Sequence, residues 1–368
     1  MVAVSSGKPS VYDVATAAGV STASVSRYFR SPGKLSAATR TRIGQAVDRL
    51  GYLPSGAARG LAERRTGMVG LYSFSQHEPD ELERSVHGQP GTVERITESG
   101  RPPCLFPLFS DEVLRGVELE CTLRRLPLVV GWQDTEDRGV DLDDIAGRGD
   151  GVIVLPSTVS DDHLRRLSRH KPVVLVSQPV PDGIAASSVS VDNQGGVREV
   201  TTHLADDHGA RSFWYAGSTQ GAEFEARFRG FEGALRERGL PVPAEPFVGT
   251  GSRSLTIEAV RAAFARTPAL ATSLPDAIVC SSDQTALGVL FVLAELGIQV
   301  PTQVAVTGFD GIDAGHVSEP PLTTVRQPMD ELGREAVSLL QQHLADDAVP
   351  GSVVLPVTLV LRRSCGCP

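Results

Sequence analysis

The chain of 368 residues has few of the residues that mark several large classes of protein. Its five cysteines do not follow the paired spacings of a disulfide framework. No apolar run approaches the roughly 18 residues that a membrane-spanning helix needs. The N-terminus also lacks the basic and then apolar pattern of a secretory signal. We therefore expect a soluble, cytoplasmic protein with free thiols and no membrane association.

Motifs of enzymatic and metal sites are also missing. The sequence contains no nucleophile elbow, phosphate-binding loop, zinc motif or pair of carboxylates at catalytic spacing. The tail segment Cys365-Gly366-Cys367 has no His and no second Cys pair at metal-binding spacing, although metal or disulfide chemistry there remains an alternative. The sequence predicts neither an enzyme nor a bound metal or cofactor.

Apolar residues recur at helical spacing in three segments near the N-terminus. A first helix is expected to begin near Ser10, whose hydroxyl can cap the free amides, and to end at a small-residue turn around Gly19. A second helix over 22–29 and a third over 37–50 follow. Two short helices joined by a turn of this kind predict a helix-turn-helix, although an ordinary three-helix bundle shows the same pattern. The predicted core residues are Val11, Val14, Ala15, Val25, Ile43, Val47 and Leu50.

The charge distribution favours a DNA-binding helix-turn-helix over an ordinary three-helix bundle. Residues 1–66 hold ten Lys and Arg and three acidic residues, a net charge of +7, and because the whole chain carries −9 the remainder carries −16. A basic head on an acidic body is typical of proteins that contact phosphates through the head alone.

The body that follows alternates short apolar runs with helical segments, which predicts parallel sheets that bind ligands at the carboxyl ends of their strands. The predicted strands are 68–72, 126–131, 151–155, 173–176, 188–191, 212–216, 277–280 and 304–308. The predicted helices are 111–125, 161–170, 195–208, 225–238, 254–265 and 283–296.

Several motifs together resemble the lactose-repressor (LacI/GalR) family. They are VYDVATAAGVSTASVSR (11–27), GYLPSGAARGLA (51–62), VSVDNQGG (189–196), RFRGF (227–231), SSDQTALG (281–288), VAVTGFDG (304–311) and PPLTTVRQP (320–328). The resemblance implies an all-α helix-turn-helix head and an α/β body like the periplasmic binding proteins, with two parallel-sheet lobes facing a cleft.

The resemblance also implies a division of the chain. The head is expected over 1–54, a hinge helix or linker over 55–66, and an effector-binding and dimerisation domain over 67–368. Within this domain we expect an N-lobe of about 67–195 and 315–345 and a C-lobe of about 196–314 and 346–368. The chain should cross between the lobes near 193–203, 311–326 and 340–350.

The resemblance assigns DNA contacts by position. Thr22, Ala23 and Arg27 are implied to face base edges, with Arg27 able to form a bidentate pair with guanine. The residues implied to touch phosphates are Ser10, Tyr12, Ser21, Ser26, Arg30, Ser36, Thr39 and Tyr52. In the hinge, Leu61 is implied to insert between base steps of the minor groove, although the segment could also be a plain flexible linker.

Effector contacts are implied at six positions in loops and helix starts of the body. Arg227 offers a forked, permanently charged donor for oxygen-rich ligands, and Asp310 can accept two sugar hydroxyls. Ser282 and Asp283 open the predicted helix after strand 277–280, where Asp283 could equally be a helix cap. Ser177 and Gly251 complete the set.

The chain departs from the family pattern in the ligand region. Ser282 replaces a common Asn, Gly251 stands where an aromatic residue often stacks on a sugar, and Ser177 replaces a frequent Asp. An extra segment, 73–104, is rich in polar residues, Pro and Gly, and predicts a mobile surface loop or else a lid or docking element. These departures argue against a simple unmodified hexose.

We thus expect a transcriptional regulator, most simply a repressor. A homodimer would bind a pseudo-palindromic double-stranded operator, with its affinity set by a small effector, a sugar or sugar derivative. No heptad run follows the last predicted strand, so no coiled-coil tetramer is expected. The alternatives are a DNA-binding regulator without an effector and, less consistent with the basic head, a solute-binding protein.

Overall fold

The computed structural model describes residues 9–53, 65–74, 108–133, 141–156, 159–346 and 351–368. The chain divides into two compact units, 1–67 and 68–368, which we call the head and the body. Within the described ranges no helix combines the length and the apolar character needed to cross a membrane.

Among its described residues the head has three α-helices, each beginning after a serine cap. They are α1 (Val11–Ala18), α2 (Thr22–Arg30) and α3 (Ala37–Leu50). The caps Ser10, Ser21 and Ser36 each accept a hydrogen bond from a backbone N–H of the first helical turn, which satisfies an otherwise unpaired donor. The predicted helix starts are therefore confirmed. The buried core consists of Val14, Ala15, Ala18, Val25, Ile43 and Ala46, with Val11, Val47 and Leu50 partly buried around it.

The first sheet of the body has six parallel strands. They are β1 (Val69–Phe74), β2 (Leu128–Gln133), β3 (Gly151–Val154), β4 (Val173–Val176), β5 (Ser187–Val191) and β10 (Ser352–Leu355), in the order β10-β5-β4-β3-β1-β2. All residues of β3 and β4 are buried, as expected for parallel strands covered on both faces.

The second sheet has five strands. They are β6 (Phe213–Ala216), β7 (Ala277–Cys280), β8 (Ala305–Asp310), β9 (Thr323–Arg326) and β11 (Thr358–Val360), in the order β11-β9-β8-β7-β6. Only β11 runs antiparallel to its neighbour.

Helices cover both sheets. They are α4 (Leu108–Arg124), α5 (Leu142–Arg148), α6 (Asp161–Ser168), α7 (Asn193–Asp206), α8 (Ala222–Glu237), α9 (Arg253–Arg266), α10 (Asp283–Glu295), α11 (Asp313–His316) and α12 (Met329–Asp346). The helix pairs α4–α12, α7–α8 and α9–α10 pack against each other, and α12 also packs on β3, β4 and β5. Each sheet with its helices forms one lobe, so the two-lobed α/β body is confirmed.

The lobe boundaries differ from those expected. Strand β9, at 323–326, pairs with β8, so the segment 315–326 belongs to the second lobe and not to the first. Strand β10, at 352–355, pairs with β5 in the first lobe, although 346–368 was expected in the second. The chain therefore crosses at Asp192, at Gln327-Pro328 and at Pro356-Val357.

Two expected segments fall mainly outside the described residues. Strand β1 extends through Ser73 and Phe74, so the first two residues of the expected 73–104 insertion belong to the sheet. The rest of that insertion lies outside the described residues, as do residue 54 and 55–64 of the hinge, including Leu61.

A glycine in α8 allows close contact with α7. A Cβ added at Gly230 would lie 2.2 Å from the carbonyl oxygen of Gln194, whereas one added at Gly233 would meet nothing within 4 Å. We expect Gly230→Ala to lower the free energy of unfolding by about 1–3 kcal/mol through overpacking. Gly233→Ala, on the same helix, should raise it by up to about 1 kcal/mol through helix propensity. Urea unfolding followed by circular dichroism tests the pair, and equal effects of the two substitutions would contradict this packing.

Candidate DNA-binding surface and ligand site

Helix α2 presents one face to its own core and another to solvent. Val25 is fully buried, while Ala23 and Arg27, one helical turn apart, are exposed. Thr22 and Ser26 lie beside them and are partly buried. The three residues expected to read bases therefore share the outer side of the second helix of a helix-turn-helix, which is the element that enters the major groove in this motif.

The residues expected to touch phosphates lie mainly at helix starts. Ser10, Ser21 and Ser36 are the caps of the three helices, and helix N-termini favour anions because their first amides point outward. Tyr12 is 71% exposed at a shallow groove. The groove is lined by Tyr12, Ala15, Thr16, Gly19, Val20, Ser21 and Thr22.

The remaining expected phosphate contacts are placed as follows. The hydroxyl of Thr39 lies 2.9 Å from that of Ser36, at the start of α3. Tyr52 is partly buried, and its ring centroid lies 6.0 Å from that of Phe29, so the residue packs against α2. Arg30 is the last residue of α2.

In the body, Arg227 of α8 is buried, with 3% of its surface exposed. Its Nε donates to Oδ1 of Asn193 at 2.8 Å, and Nη1 donates to the carbonyl oxygen of Ser281 at 2.7 Å. The guanidinium carbon lies 3.9 Å from the ring centroid of Phe309, a cation–π contact. A buried charge needs such partners because its desolvation is costly.

Asp310, the last residue of β8, supplies the opposite charge. Its Oδ1 lies 3.6 Å from Nη1 of Arg227 and accepts a hydrogen bond from Nε2 of Gln327 at 2.8 Å. Burial raises the pKa of Asp310, and Arg227 and Gln327 oppose this shift. The structure thus brings together Arg227 and Asp310, the two sequence-predicted residues with the strongest chemical rationale.

Ser282 and Asp283 are engaged within the protein. The hydroxyl of Ser282 caps α10 by accepting from the backbone N–H of Thr285. Oδ2 of Asp283 accepts from the backbone N–H groups of Gly311 and Ile312 at 2.8 and 2.9 Å, and its Oδ1 accepts from the Thr324 hydroxyl. Burial, with the charge of Asp310 adding to it, raises the pKa of Asp283 to about 8. Ser282 therefore caps α10, and Asp283 holds the loop after β8.

Polar atoms from both lobes remain without a partner near this network. Ser177, directly after β4 in the first lobe, is buried, adopts a left-handed φ of 53°, and its Oγ has no hydrogen-bond partner among the described residues. Oε1 of Glu223, one turn before Arg227 on α8, is also buried and has no hydrogen-bond partner among the described residues. Burial raises the pKa of Glu223 to about 7, against the opposing effects of Arg227, Ser177 and Asn193. Ser177 of the first lobe and Glu223 of the second therefore lie near each other, each with a polar atom that has no hydrogen-bond partner among the described residues.

Further unpaired atoms lie at other strand ends. The hydroxyls of Ser73 near the end of β1 and of Ser281 after β7, and Oε1 of Gln327 after β9, are buried and have no partner within the described part of the chain. Buried polar groups are nearly always paired, and ligands of parallel α/β sheets bind at the carboxyl ends of the strands, which is where these unpaired atoms lie.

Sequence reasoning did not select Asn193, Glu223 or Gln327. Asn193 lies within VSVDNQGG and Gln327 within PPLTTVRQP, so the family motifs contained a signal for two of them. Glu223 had no such signal, since a Glu in the first turn of a helix reads as a solvated charge. Gly251 is exposed in the loop before α9 and offers only its backbone.

The comparison with known proteins agrees with this geometry. A model described as bacterial regulatory proteins, lacI family, matches residues 10–55, and one described as a periplasmic binding protein-like domain matches 201–365. The transcriptional repressor CytR of Escherichia coli (strain K12) is 29% identical over 359 residues, covering 96% of this chain and 95% of CytR.

Solved structures share the architecture. The transcriptional regulator CelR in complex with cellobiose has a TM-score of 0.63 at 27% identity, covering 97% of this chain and 99% of CelR. The lac repressor dimer bound to operator and the anti-inducer ONPF has a TM-score of 0.72 at 21% identity, covering 98% and 99%. A helix-turn-helix head with a two-lobed body of this kind defines a DNA-binding transcriptional regulator. The chain combines a LacI-family DNA-binding head with a periplasmic binding protein-like body.

The pKa of Glu223 makes the stability of the ligand-free protein depend on pH. The unfolded chain ionises Glu223 near 4.5 and the folded chain near 7, so stability falls as the pH rises through this window. We expect Glu223→Gln to be more stable than the parent at pH 8, by as much as about 3 kcal/mol, and equally stable at pH 4.

Thermal unfolding at a series of pH values measures this difference. Glu225→Gln is the control, because Glu225 is exposed on the same helix and pairs with Arg229 in solvent. A stability difference between Glu223→Gln and the parent that does not change with pH would contradict the assignment.

Proposed function

We propose that the protein is a repressor that binds DNA as a homodimer and whose operator affinity is set by a small hydroxyl-rich ligand, a carbohydrate or a derivative of one. The unpaired polar atoms of both lobes around Arg227 and Asp310 carry the ligand part of this proposal. The basic head with its exposed α2 face carries the DNA part. A regulator of bacterial transcription would act in the cytoplasm.

The head reads DNA in two ways under this proposal. Arg27 pairs with a guanine, Thr22 and Ala23 contact thymine methyl groups, and the serine-capped helix ends hold phosphates. Two heads related by a two-fold axis require a pseudo-palindromic operator, as the operator-bound lac repressor dimer illustrates. Insertion of Leu61 into the minor groove stays a prediction, because Leu61 lies outside the described residues.

The ligand class follows from the donors and acceptors available. Arg227 and the serine hydroxyls can donate, Asp310, Glu223 and Gln327 can accept, and the phenyl ring of Phe224 lies 5.2 Å from the Arg227 guanidinium carbon. Several hydroxyls on a compact ring match this mixture, and a carbohydrate has that form. The CelR–cellobiose complex supports the same ligand class.

Ligand binding can change the relation between the lobes because the site uses both. Ser73 and Ser177 belong to the first lobe, and Glu223 and Ser281 to the second. A ligand that pairs them in one lobe arrangement favours that arrangement, and operator affinity changes only by the difference in ligand affinity between the two arrangements.

A second candidate is a regulator that needs no effector. It is favoured by one observation, namely that Arg227 already has protein partners in Asn193, Ser281 and Asp310. In that case the network would serve only to hold the lobes, and no ligand would alter operator affinity.

The role of Arg27 can be tested on selected DNA. After operators are isolated by in vitro selection with the full chain, Arg27→Ala should weaken operator binding by about 1–3 kcal/mol and leave binding to scrambled DNA nearly unchanged. Arg49→Ala removes an equal charge from the exposed end of α3 and should affect both DNAs alike. Equal loss on both DNAs with Arg27→Ala would show that Arg27 contacts only phosphate.

The ligand site can be tested with Ser177→Gly. Glycine accepts the left-handed φ of this position and removes the unpaired hydroxyl, so the variant should fold at least as stably as the parent. A thermal-shift screen of sugars, sugar phosphates and nucleosides identifies a stabilising compound, and we expect Ser177→Gly to bind that compound at least 10-fold more weakly.

Operator binding separates this result from misfolding. Both Ser177→Gly and Arg227→Ala should retain operator affinity while losing its response to the compound. If no compound in the screen shifts both thermal stability and operator affinity, the effector-independent alternative is correct.

A further inference from the structure

Four side chains with metal-binding atoms meet at the end of α7. His203 of α7, His208 just after it, and Cys365 and Cys367 of the tail place their ligand atoms within 4.8 Å of one another. The tail pair was not expected to have a His partner, because about 160 residues separate the two segments in sequence. The fold brings them together by docking the tail on the second lobe.

The distances between these ligand atoms fit one tetrahedral ion. Nε2 of His203 lies 3.1 Å from Nε2 of His208 and 3.5 Å from Sγ of Cys367. Sγ of Cys367 lies 3.4 Å from Nε2 of His208, and Sγ of Cys365 lies 3.7 Å from Nε2 of His203. A tetrahedral zinc with its usual bond lengths places two nitrogens about 3.4 Å apart and a nitrogen and a sulfur about 3.6 Å apart.

The surroundings orient the ligands as a metal site requires. Oδ2 of Asp207 lies 2.7 Å from Nδ1 of His203, so the Nδ1 proton is held there and Nε2 keeps its lone pair toward the cluster. Gly366, between the two thiols, adopts φ 103°, a left-handed conformation that favours glycine. Neither Cys365 nor Cys367 is in a disulfide.

The tail itself is firmly placed. The hydroxyl of Ser364 is buried, donates to the carbonyl oxygen of Val306 at 2.6 Å and accepts from the backbone N–H of Thr323 at 2.8 Å. Cys365 is 3% exposed and His203 is 7% exposed, while His208 is exposed and Cys367 is partly buried. One side of the cluster is therefore open to solvent, which gives an ion a route of entry.

We propose that His203, His208, Cys365 and Cys367 form a structural zinc site that fastens the C-terminal tail to α7. Two thiolates and two imidazoles at tetrahedral spacing select zinc among the common divalent ions, and four protein ligands leave no open position for catalysis. Metal binding releases the thiol protons and stabilises the docked tail over the undocked one.

The experiment measures metal content and geometry in the full chain. Protein purified with a thiol reductant should hold one zinc per chain by elemental analysis. Replacement by Co²⁺ should give the intense visible bands of a tetrahedral ion together with a thiolate-to-cobalt charge-transfer band in the near ultraviolet. Removal of the zinc with a chelator should lower the unfolding temperature of the body.

Substitutions of the proposed ligands and of residues elsewhere in the body test which side chains bind the zinc. Cys367→Ser and His208→Gln change ligands outside the core and should lower zinc affinity at least 100-fold without loss of folding, and Asp207→Asn should lower it about 10-fold. Cys121→Ala and His316→Gln, which change a thiol and an imidazole elsewhere in the body, should keep one zinc per chain.

Three results would overturn the proposal. One is less than a tenth of an equivalent of zinc after incubation with equimolar metal and gel filtration. Another is equal zinc binding by Cys367→Ser and the parent. The third is a Cys365–Cys367 disulfide, found by mass spectrometry in protein kept with reductant, because it would leave no thiolates for the ion.

Discussion

The body of this protein depends on the contacts that offset the desolvation of the buried Arg227 guanidinium. Its partners are Asn193, the residue after the first crossing between the lobes, and Asp310, which is held by Gln327 of the second crossing. The Arg227 guanidinium is therefore linked, directly or through Asp310, to two of the three crossings between the lobes. A ligand that alters the surroundings of this charge acts directly on the segments that join the lobes, and no long relay through the core is needed to couple ligand and lobe arrangement.

The head and the body carry net charges of opposite sign, which separates DNA binding from ligand binding. A head of +7 attracts the phosphate backbone at long range, while a body of −16 is repelled by it. The polar site of the body can therefore be tuned to a small ligand without creating a competing DNA surface. Arg227 is the clearest case, since Asp310 and the Phe309 ring screen its charge within the protein.

Much of the fold could be predicted because buried parallel strands are continuous apolar runs. Strands β1 to β8 were predicted within two residues of their observed ends, whereas β9, β10 and β11 were missed. β10 and β11 lie at sheet edges and are half exposed, so their sequences lack the apolar run that burial requires. The Arg227–Asp310 pair came from the family resemblance. Glu223 and the His203 cluster could not be predicted, because their meaning depends on neighbours that are distant in sequence.

The three crossings consist of one, two and two residues. Crossings this short prevent the lobes from separating. The lobes can therefore move relative to each other mainly by rotation about an axis near the crossings. These lie at the carboxyl ends of β5 and β10, while the chain enters the first lobe at Val69, the opposite end of β1. A six-residue strand is roughly 20 Å long, so β1 acts as a lever arm. A rotation of roughly ten degrees at the site would move Val69 by about 3.5 Å over that length. Small changes at the ligand are thereby enlarged where the chain leads to the head.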